Sequence, residues 1–161
     1  MRKNNYIALA KKSSSIQINE LKKIKKVFNH SFVKAVDLIL NCRGKIIFAG
    51  VGKSGLIAKK ISATFSSVGI PSFFCDPAQA LHGDMGQIEK KDILIIFSYS
   101  GNTSELNNML KYANRFRIKV IGVASKPDSV LLKASDIKLI LPKVKESDIT
   151  GMVPTSSTTI T

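Results

Sequence analysis

Three short segments rich in Gly, Ser and Thr carry the residue types best suited to holding an anion. They are Gly50-Val51-Gly52-Lys53-Ser54-Gly55, Ser98-Tyr99-Ser100-Gly101-Asn102-Thr103 and Pro154-Thr155-Ser156-Ser157-Thr158-Thr159. The first two follow apolar, β-rich runs and lead into helix-like segments. Such a turn leaves backbone N–H groups unpaired beside the positive end of a helix, which favours a negative ligand. Ser and Thr hydroxyls add donors. One such loop is commonplace. Three in one short chain point to a small phosphorylated ligand, with Gly52, Ser54, Ser98, Ser100, Gly101, Thr103, Thr155, Ser156 and Ser157 as the candidate contacts.

Four titratable residues sit near these loops in sequence. Lys53 places a cation at the mouth of the first turn. His82 lies in Leu81-His82-Gly83-Asp84-Met85-Gly86, a loop after the second predicted strand. Glu105 falls in the first turn of the helix after the Ser-rich loop, where pairing with the helix dipole alone accounts for it at about 0.3–1 kcal/mol. Glu146 follows the last predicted strand, among Lys143, Lys145 and Asp148, and reads equally as a surface charge. The two carboxylates become proton-transfer candidates only if they face the loops. His30 is read as an ordinary helix residue.

The first loop touches two better-known patterns. It contains Gly-Lys-Ser, but a triphosphate-binding loop needs a Gly five positions before Gly52, and Ile47 stands there. It also fits GxGxxG after a strand, with Asp76 at the end of the next strand where a dinucleotide fold places its ribose carboxylate. A dinucleotide-binding module therefore remains open. Two further Ser/Thr loops, which that fold does not require, and the lack of room for a substrate domain count against it.

These loops must be positioned by a sheet. Lys45–Gly50, Ser72–Cys75, Asp92–Phe97, Lys119–Ala124 and Ile137–Leu141 read as strands. Between them Ser54–Val68, with Leu56, Ile57, Ile61 and Phe65 inward, one turn at Ala78–Leu81, Thr103–Phe116 and Val130–Ala134 read as helical. Alternating strands and helices imply an α/β fold: a three-layer αβα sandwich around a mostly parallel five-stranded sheet. In a Rossmann-like arrangement all three loops belong at one edge region. Residues 1–44 form an N-terminal helical segment, its apolar residues between Ile16 and Leu40 spaced for one amphipathic helix or a broken pair. Residues 45–161 form the ligand-binding domain. Thr155 reads as a helix N-cap, and the chain ends at Thr161, within the first turn of that helix, so the domain is expected to be incomplete.

At 161 residues the chain is large enough to bury a core, and 44% hydrophobic with 22% charged residues is ordinary for a globular protein. No apolar run approaches the roughly 20 residues of a membrane span, and the N-terminus is polar rather than signal-like. A cytoplasmic protein without a membrane partner is expected. The net charge of +14 raises nucleic acid as a partner. The lysines are scattered, however, without interleaved aromatics or a nucleic-acid motif, so no nucleic acid is expected; the summed field would attract anionic substrates. Cys42 and Cys75 have neither CxxC nor metal-ligand spacing and read as two buried reduced thiols, with no metal site.

Taken together, Gly52-Lys53-Ser54-Gly55, Pro71-Ser72-Phe73-Phe74, His82-Gly83-Asp84-Met85-Gly86, Ser98 to Thr103 and Pro154 to Thr159 resemble the sugar-isomerase (SIS) domain family, and within it the arabinose-5-phosphate isomerases, over roughly Ile16 to Thr161. The resemblance implies interconversion of D-ribulose 5-phosphate and D-arabinose 5-phosphate through an enediol, without a cofactor, in supply of the Kdo sugar of lipopolysaccharide or capsule. It implies that Lys53, Glu105 and Glu146 are catalytic, that His82 contacts substrate and that Ser98, Ser100 and Thr103 hold its phosphate. A homotetramer with sites at subunit interfaces is implied too. Asp76 and Asn102 depart from the family pattern, where some members carry a zinc-binding His and a Glu. Family members usually continue past Thr161 with a further active-site His and two CBS domains. A non-catalytic sugar-phosphate sensor on the same fold stays open as the alternative function.

Overall fold

The structure, a computed structural model, describes residues 4–161. Five strands form one sheet: β1 (Ile46–Gly50), β2 (Ser72–Cys75), β3 (Ile93–Phe97), β4 (Lys119–Ala124) and β5 (Ile137–Ile140). Their order is β2-β1-β3-β4-β5, and every pair is parallel. All five residues of β1 and of β3 are buried. A parallel strand covered on both faces has no solvent side, which is why Ile46-Ile47-Phe48-Ala49 and Ile93-Leu94-Ile95-Ile96-Phe97 read as unbroken apolar runs.

Alternate residues of these strands feed two cores. Ile47, Ala49, Leu94, Ile96, Val120 and Ala124 pack with Leu106, Met109, Leu110 and Ala113 of α4 (Leu106–Phe116) and with Leu131 and Leu132 of α5 (Val130–Ala134). Ile46, Phe48, Ile95, Phe97, Ile121 and Val123 face the other way. They meet Ala35 of α2 (His30–Leu40), Ala58, Ile61 and Phe65 of α3 (Gly52–Ser67), and Ile160 of α6 (Ser156–Ile160). Burying an aliphatic or aromatic side chain in such layers is worth about 1.5–3 kcal/mol. The three-layer α/β architecture expected from the sequence is present, with the sheet wholly rather than mostly parallel. At the lower edge the buried Asp92 carboxylate accepts the Lys45 N–H at 2.7 Å and the Glu89 N–H at 2.8 Å, tying the starts of β1 and β3 together.

The N-terminal segment is a broken helix. α1 (Asn4–Leu21) runs into a 3-10 stretch, Lys22–Val27, and α2 restarts after Asn29, whose side chain caps it by accepting the Ser31 N–H at 2.8 Å. α1 lies against the other end of the chain: Ser13 and Ser147 hydroxyls meet at 2.9 Å, and Thr159 Oγ1 donates to Gln17 Oε1 at 3.5 Å.

Several local expectations are corrected. Leu56 is 70% exposed, whereas Ile57, Ile61 and Phe65 are partly covered; the inward stripe of α3 passes through Ala58 instead. α4 starts at Leu106 and not Thr103, because Leu106 N–H and Asn107 N–H bond to the Thr103 and Ser104 carbonyls in tight turns before the α-helical ladder begins. Of the two free thiols only Cys75 is buried. Cys42 is half-buried, with Sγ 3.8 Å from the Lys45 carbonyl. Thr155 occupies the N-cap position of α6, but its side chain makes no capping bond.

Candidate functional site

Chain order along the sheet reverses between β1 and β3. At such a switch point the carboxyl ends of the strands diverge into a crevice, the usual ligand position in open α/β sheets. The first two Gly/Ser loops leave β1 and β3 at this crevice.

The first loop turns directly into α3. Gly52 takes φ +59° at the first helical position, a left-handed backbone that glycine adopts without strain. Gly55 lets the helix approach the strand: a Cβ there would lie 2.6 Å from the Gly50 carbonyl oxygen. No side chain caps α3, so its first-turn N–H groups are free of an internal acceptor of that kind.

The second loop is internally braced. Ser98 is buried; its hydroxyl shares a 2.8 Å hydrogen bond with Thr103 Oγ1 and accepts the Gly101 N–H at 3.1 Å. Gly101 has φ +68° and sits where a Cβ would overlap the Ser129 side chain. The Leu131 N–H bonds to its carbonyl at 3.0 Å, and the Val130 N–H to Asn102 Oδ1 at 2.9 Å, fixing the loop to the start of α5. Tyr99 ties it sideways: its Oη accepts the Val144 N–H at 3.1 Å, and its carbonyl accepts the Ser125 N–H and hydroxyl. Ser100 is exposed, and its hydroxyl accepts the Asn102 N–H at 3.3 Å.

The third loop arrives on the segment that follows β5. Pro154, Ser157, Thr158 and Thr161 close a cavity of about 320 Å³ against Val51, Lys53, Ser54 and Ile57 of the first loop and Tyr99 and Ser100 of the second. Three distant stretches of sequence thus converge on one site. Of the expected residues, Lys53, Ser54, Ser100 and Ser157 line it. Gly52 shapes the turn beneath, and Ser98, Gly101 and Thr103 build the second loop from behind. Ser156 is buried with its hydroxyl unpartnered. Tyr99, Pro154 and Thr158 line the cavity without having been singled out as site residues; the only sequence signal was their place inside the Ser/Thr loops.

The two carboxylates and His82 stand apart from the cavity wall. Glu146 is joined to it through the third loop: Oε2 accepts the Thr155 N–H at 2.7 Å, the Thr155 hydroxyl at 2.8 Å and the Ser157 N–H at 3.3 Å. Burial works to raise its pKa, but the Ser157 and Thr155 donors outweigh it and hold the carboxyl below its ordinary value. Glu105 is exposed at the N-cap of α4. Its own backbone N–H and the Ser104 hydroxyl, 2.9 Å away, lower its pKa. His82 is exposed at the end of a 3-10 turn, Ala80–His82, after β2. Asp76, the dinucleotide candidate, uses a carboxylate oxygen to accept the Ala78 N–H at 2.9 Å. Among the described residues no group of three or more His, Cys, Asp or Glu is placed to hold a metal ion, and no helix is long and apolar enough to cross a membrane.

The SIS domain pattern matches residues 39–161, through the sheet and all three loops. The chain belongs to the SIS domain family. Among curated SIS relatives, a probable arabinose 5-phosphate isomerase of Haemophilus influenzae is 38% identical over 160 residues, covering 99% of this chain and 48% of that protein. The chain therefore spans about half the length of the curated relatives it matches. A crystal structure of a candidate sugar-phosphate isomerase from Listeria monocytogenes superposes with a TM-score of 0.93 at 36% identity, covering 98% of this chain and 83% of that one. A protein of Escherichia coli CFT073 solved in complex with arabinose 5-phosphate superposes with a TM-score of 0.88 at 35% identity, covering 99% and 85%.

Proposed function

We propose that the cavity binds a pentose 5-phosphate and that the full protein interconverts D-ribulose 5-phosphate and D-arabinose 5-phosphate. One observation carries this: Lys53, Ser54, Ser100 and Ser157, from three segments, converge on a single cavity beside an uncapped helix start. The arabinose 5-phosphate complex of a similar SIS protein supports the choice of sugar, and relatives named arabinose 5-phosphate isomerase support the reaction.

In this reading the loop hydroxyls and N–H groups hold the phosphate. Binding energy spent on that remote group positions the sugar. A base removes a proton from C1 of ribulose 5-phosphate, giving an enediol, and a proton returned to C2 yields the aldose. Lys53 lies where it stabilises either the phosphate or the developing enediolate. Glu105 and His82 are the proton-transfer candidates. Assembly into a homotetramer, action in the cytoplasm and supply of Kdo for lipopolysaccharide belong to the same proposal.

The test is to incubate the protein with ribulose 5-phosphate in D2O and follow the aldose by NMR. Arabinose 5-phosphate carrying deuterium at C2 is expected. A second reading, a non-catalytic sugar-phosphate sensor, draws on Glu105 and His82 not being among the residues that line the cavity. It predicts tight binding of arabinose 5-phosphate with no turnover and no isotope uptake.

A further inference from the structure

Between β5 and α6 the chain runs without regular structure, and it must return from the sheet edge to place Ser157 and Thr158 against the cavity. The contact that closes this return is Glu146. A single carboxylate oxygen, Oε2, takes three donors: the Thr155 N–H, the Thr155 hydroxyl and the Ser157 N–H. Thr155 Oγ1 in turn accepts the Ser147 N–H at 2.8 Å. Residues 146–147 are thereby stapled to residues 155–157.

The donors so engaged are those that a phosphate at the third loop would have used. An internal anion already satisfies them, and what remains facing the cavity is Ser157, Thr158 and Pro154. The three bonds also favour the charged form of the carboxylate, each roughly twice as strong as a neutral one, so protonating even the free Oε1 would weaken them and Glu146 is a weak base.

We infer that Glu146 is a positioning residue: its carboxylate is a built-in anion that takes the N-terminal donors of the third loop and holds Ser157 and Thr158 against the sugar-phosphate cavity. It does not move the substrate proton, a role left to Glu105 or His82. This rests on the reading of the cavity as a sugar-phosphate site. The lowered pKa of Glu146 agrees with the geometry. The other charged groups on its outer side are Lys12, Lys145 and Asp148.

The variants Glu146→Gln and Glu146→Ala separate the possibilities. A glutamine carbonyl oxygen still accepts the Thr155 and Ser157 N–H groups; alanine accepts nothing. Positioning predicts arabinose 5-phosphate affinity within about threefold of wild type for E146Q and weakened about tenfold or more for E146A, the scale of one lost bond to a charged group. It further predicts that E146Q keeps most of the turnover and an unshifted pH–rate profile. A base at this position predicts the reverse: affinity intact in both variants and turnover down by more than about 100-fold in E146Q. That result overturns the inference. A second arm needs no ligand. The amide protons of Thr155 and Ser157, followed by NMR from pH 7 to pH 3, move together in one step below the ordinary carboxylate range in wild type and show no such step in E146Q. Absence of the step in wild type overturns the staple. If wild type binds no arabinose 5-phosphate, the reading of the cavity fails, and the staple stands or falls on the amide arm.

Discussion

Gly101→Ala tests whether the second loop is as tightly built as the structure shows. The residue has φ +68°, and an added Cβ would overlap Ser129 Oγ, lie 2.5 Å from Ser129 Cβ and 3.0 Å from Ala124 Cβ. Two costs follow. Forcing a non-glycine residue into the left-handed region costs about 1–2 kcal/mol. Overpacking against α5 costs about 1–3 kcal/mol more. Together they give about 2–5 kcal/mol, a Tm lowered by roughly 5–15 °C at this chain length. Gly52→Ala is the internal control. Its φ is +59°, but nothing lies within 4 Å of the added methyl, so only the backbone cost of about 1–2 kcal/mol applies. The assay is urea unfolding of both variants and of G101A/S129A. Truncating Ser129 should recover part of the packing loss, though the hydroxyl also accepts the Leu132 N–H at 3.5 Å as the cap of α5. If G101A is no less stable than G52A, or S129A recovers nothing, loop and helix are not in the contact described, and α5 does not rigidify the second loop.

Two serines two residues apart should behave differently. Ser98→Ala leaves Thr103 Oγ1 without its partner and the Gly101 N–H with only the Ser98 carbonyl, and should cost about 1–3 kcal/mol in unfolding, whereas Ser100→Ala should leave unfolding nearly unchanged and weaken arabinose 5-phosphate binding by about tenfold in calorimetry. Equal unfolding losses for the two would contradict the geometry. The Cys75 thiol, pushed up to about 11 by burial with help from Asp84 and Asp76, should react with a disulfide reagent at pH 8 only on unfolding, while the half-buried Cys42 reacts in the native state; fast labelling of both would refute the buried position. Glu146 and Asp136 both have folded pKa values below their unfolded ones. For each, burial pushes upward but is outweighed, by the Ser157 and Thr155 donors at Glu146 and by the Lys119 side chain and Val120 N–H at Asp136. Their contribution is therefore complete above the unfolded carboxylate range of about 4, and it is lost as pH falls through the folded values. Urea midpoints should hold from pH 7 to about 5 and fall below about 4; a fall already between pH 7 and 6 would point to other groups.

Much of the scaffold was legible in the chain because each layer has its own period. β1 and β3 announced themselves as apolar runs since both their faces are covered, and β4 and α5 fall at the boundaries read from the sequence. Helix starts were less legible. Thr103-Ser104-Glu105 has the composition of a helix entry, yet turn bonds to Leu106 and Asn107 delay α4 by three residues. Leu56 lies five residues before Ile61, off the i, i+4, i+8 stripe of Ile57, Ile61 and Phe65, and on the opposite side from the buried Ala58, so it faces solvent. The loops themselves were visible from glycines and hydroxyls that few other roles require. Which hydroxyls face the ligand was not.

What the sequence by itself determined was therefore the kind of protein: an α/β sheet with three anion-type loops, and the residue types those loops would use. Tertiary structure alone decided the assignment within them. Ser98 and Ser100 are chemically the same, but one points under the loop to Thr103 and the other out to the cavity. Glu146 reads as a loop charge until the return of the chain brings Thr155 and Ser157 onto its carboxylate. The physical reason is range. Strand and helix preferences and turn residues act over a few positions and are written locally. The direction of a side chain and the partner of a carboxylate depend on segments that meet only after the layers have packed.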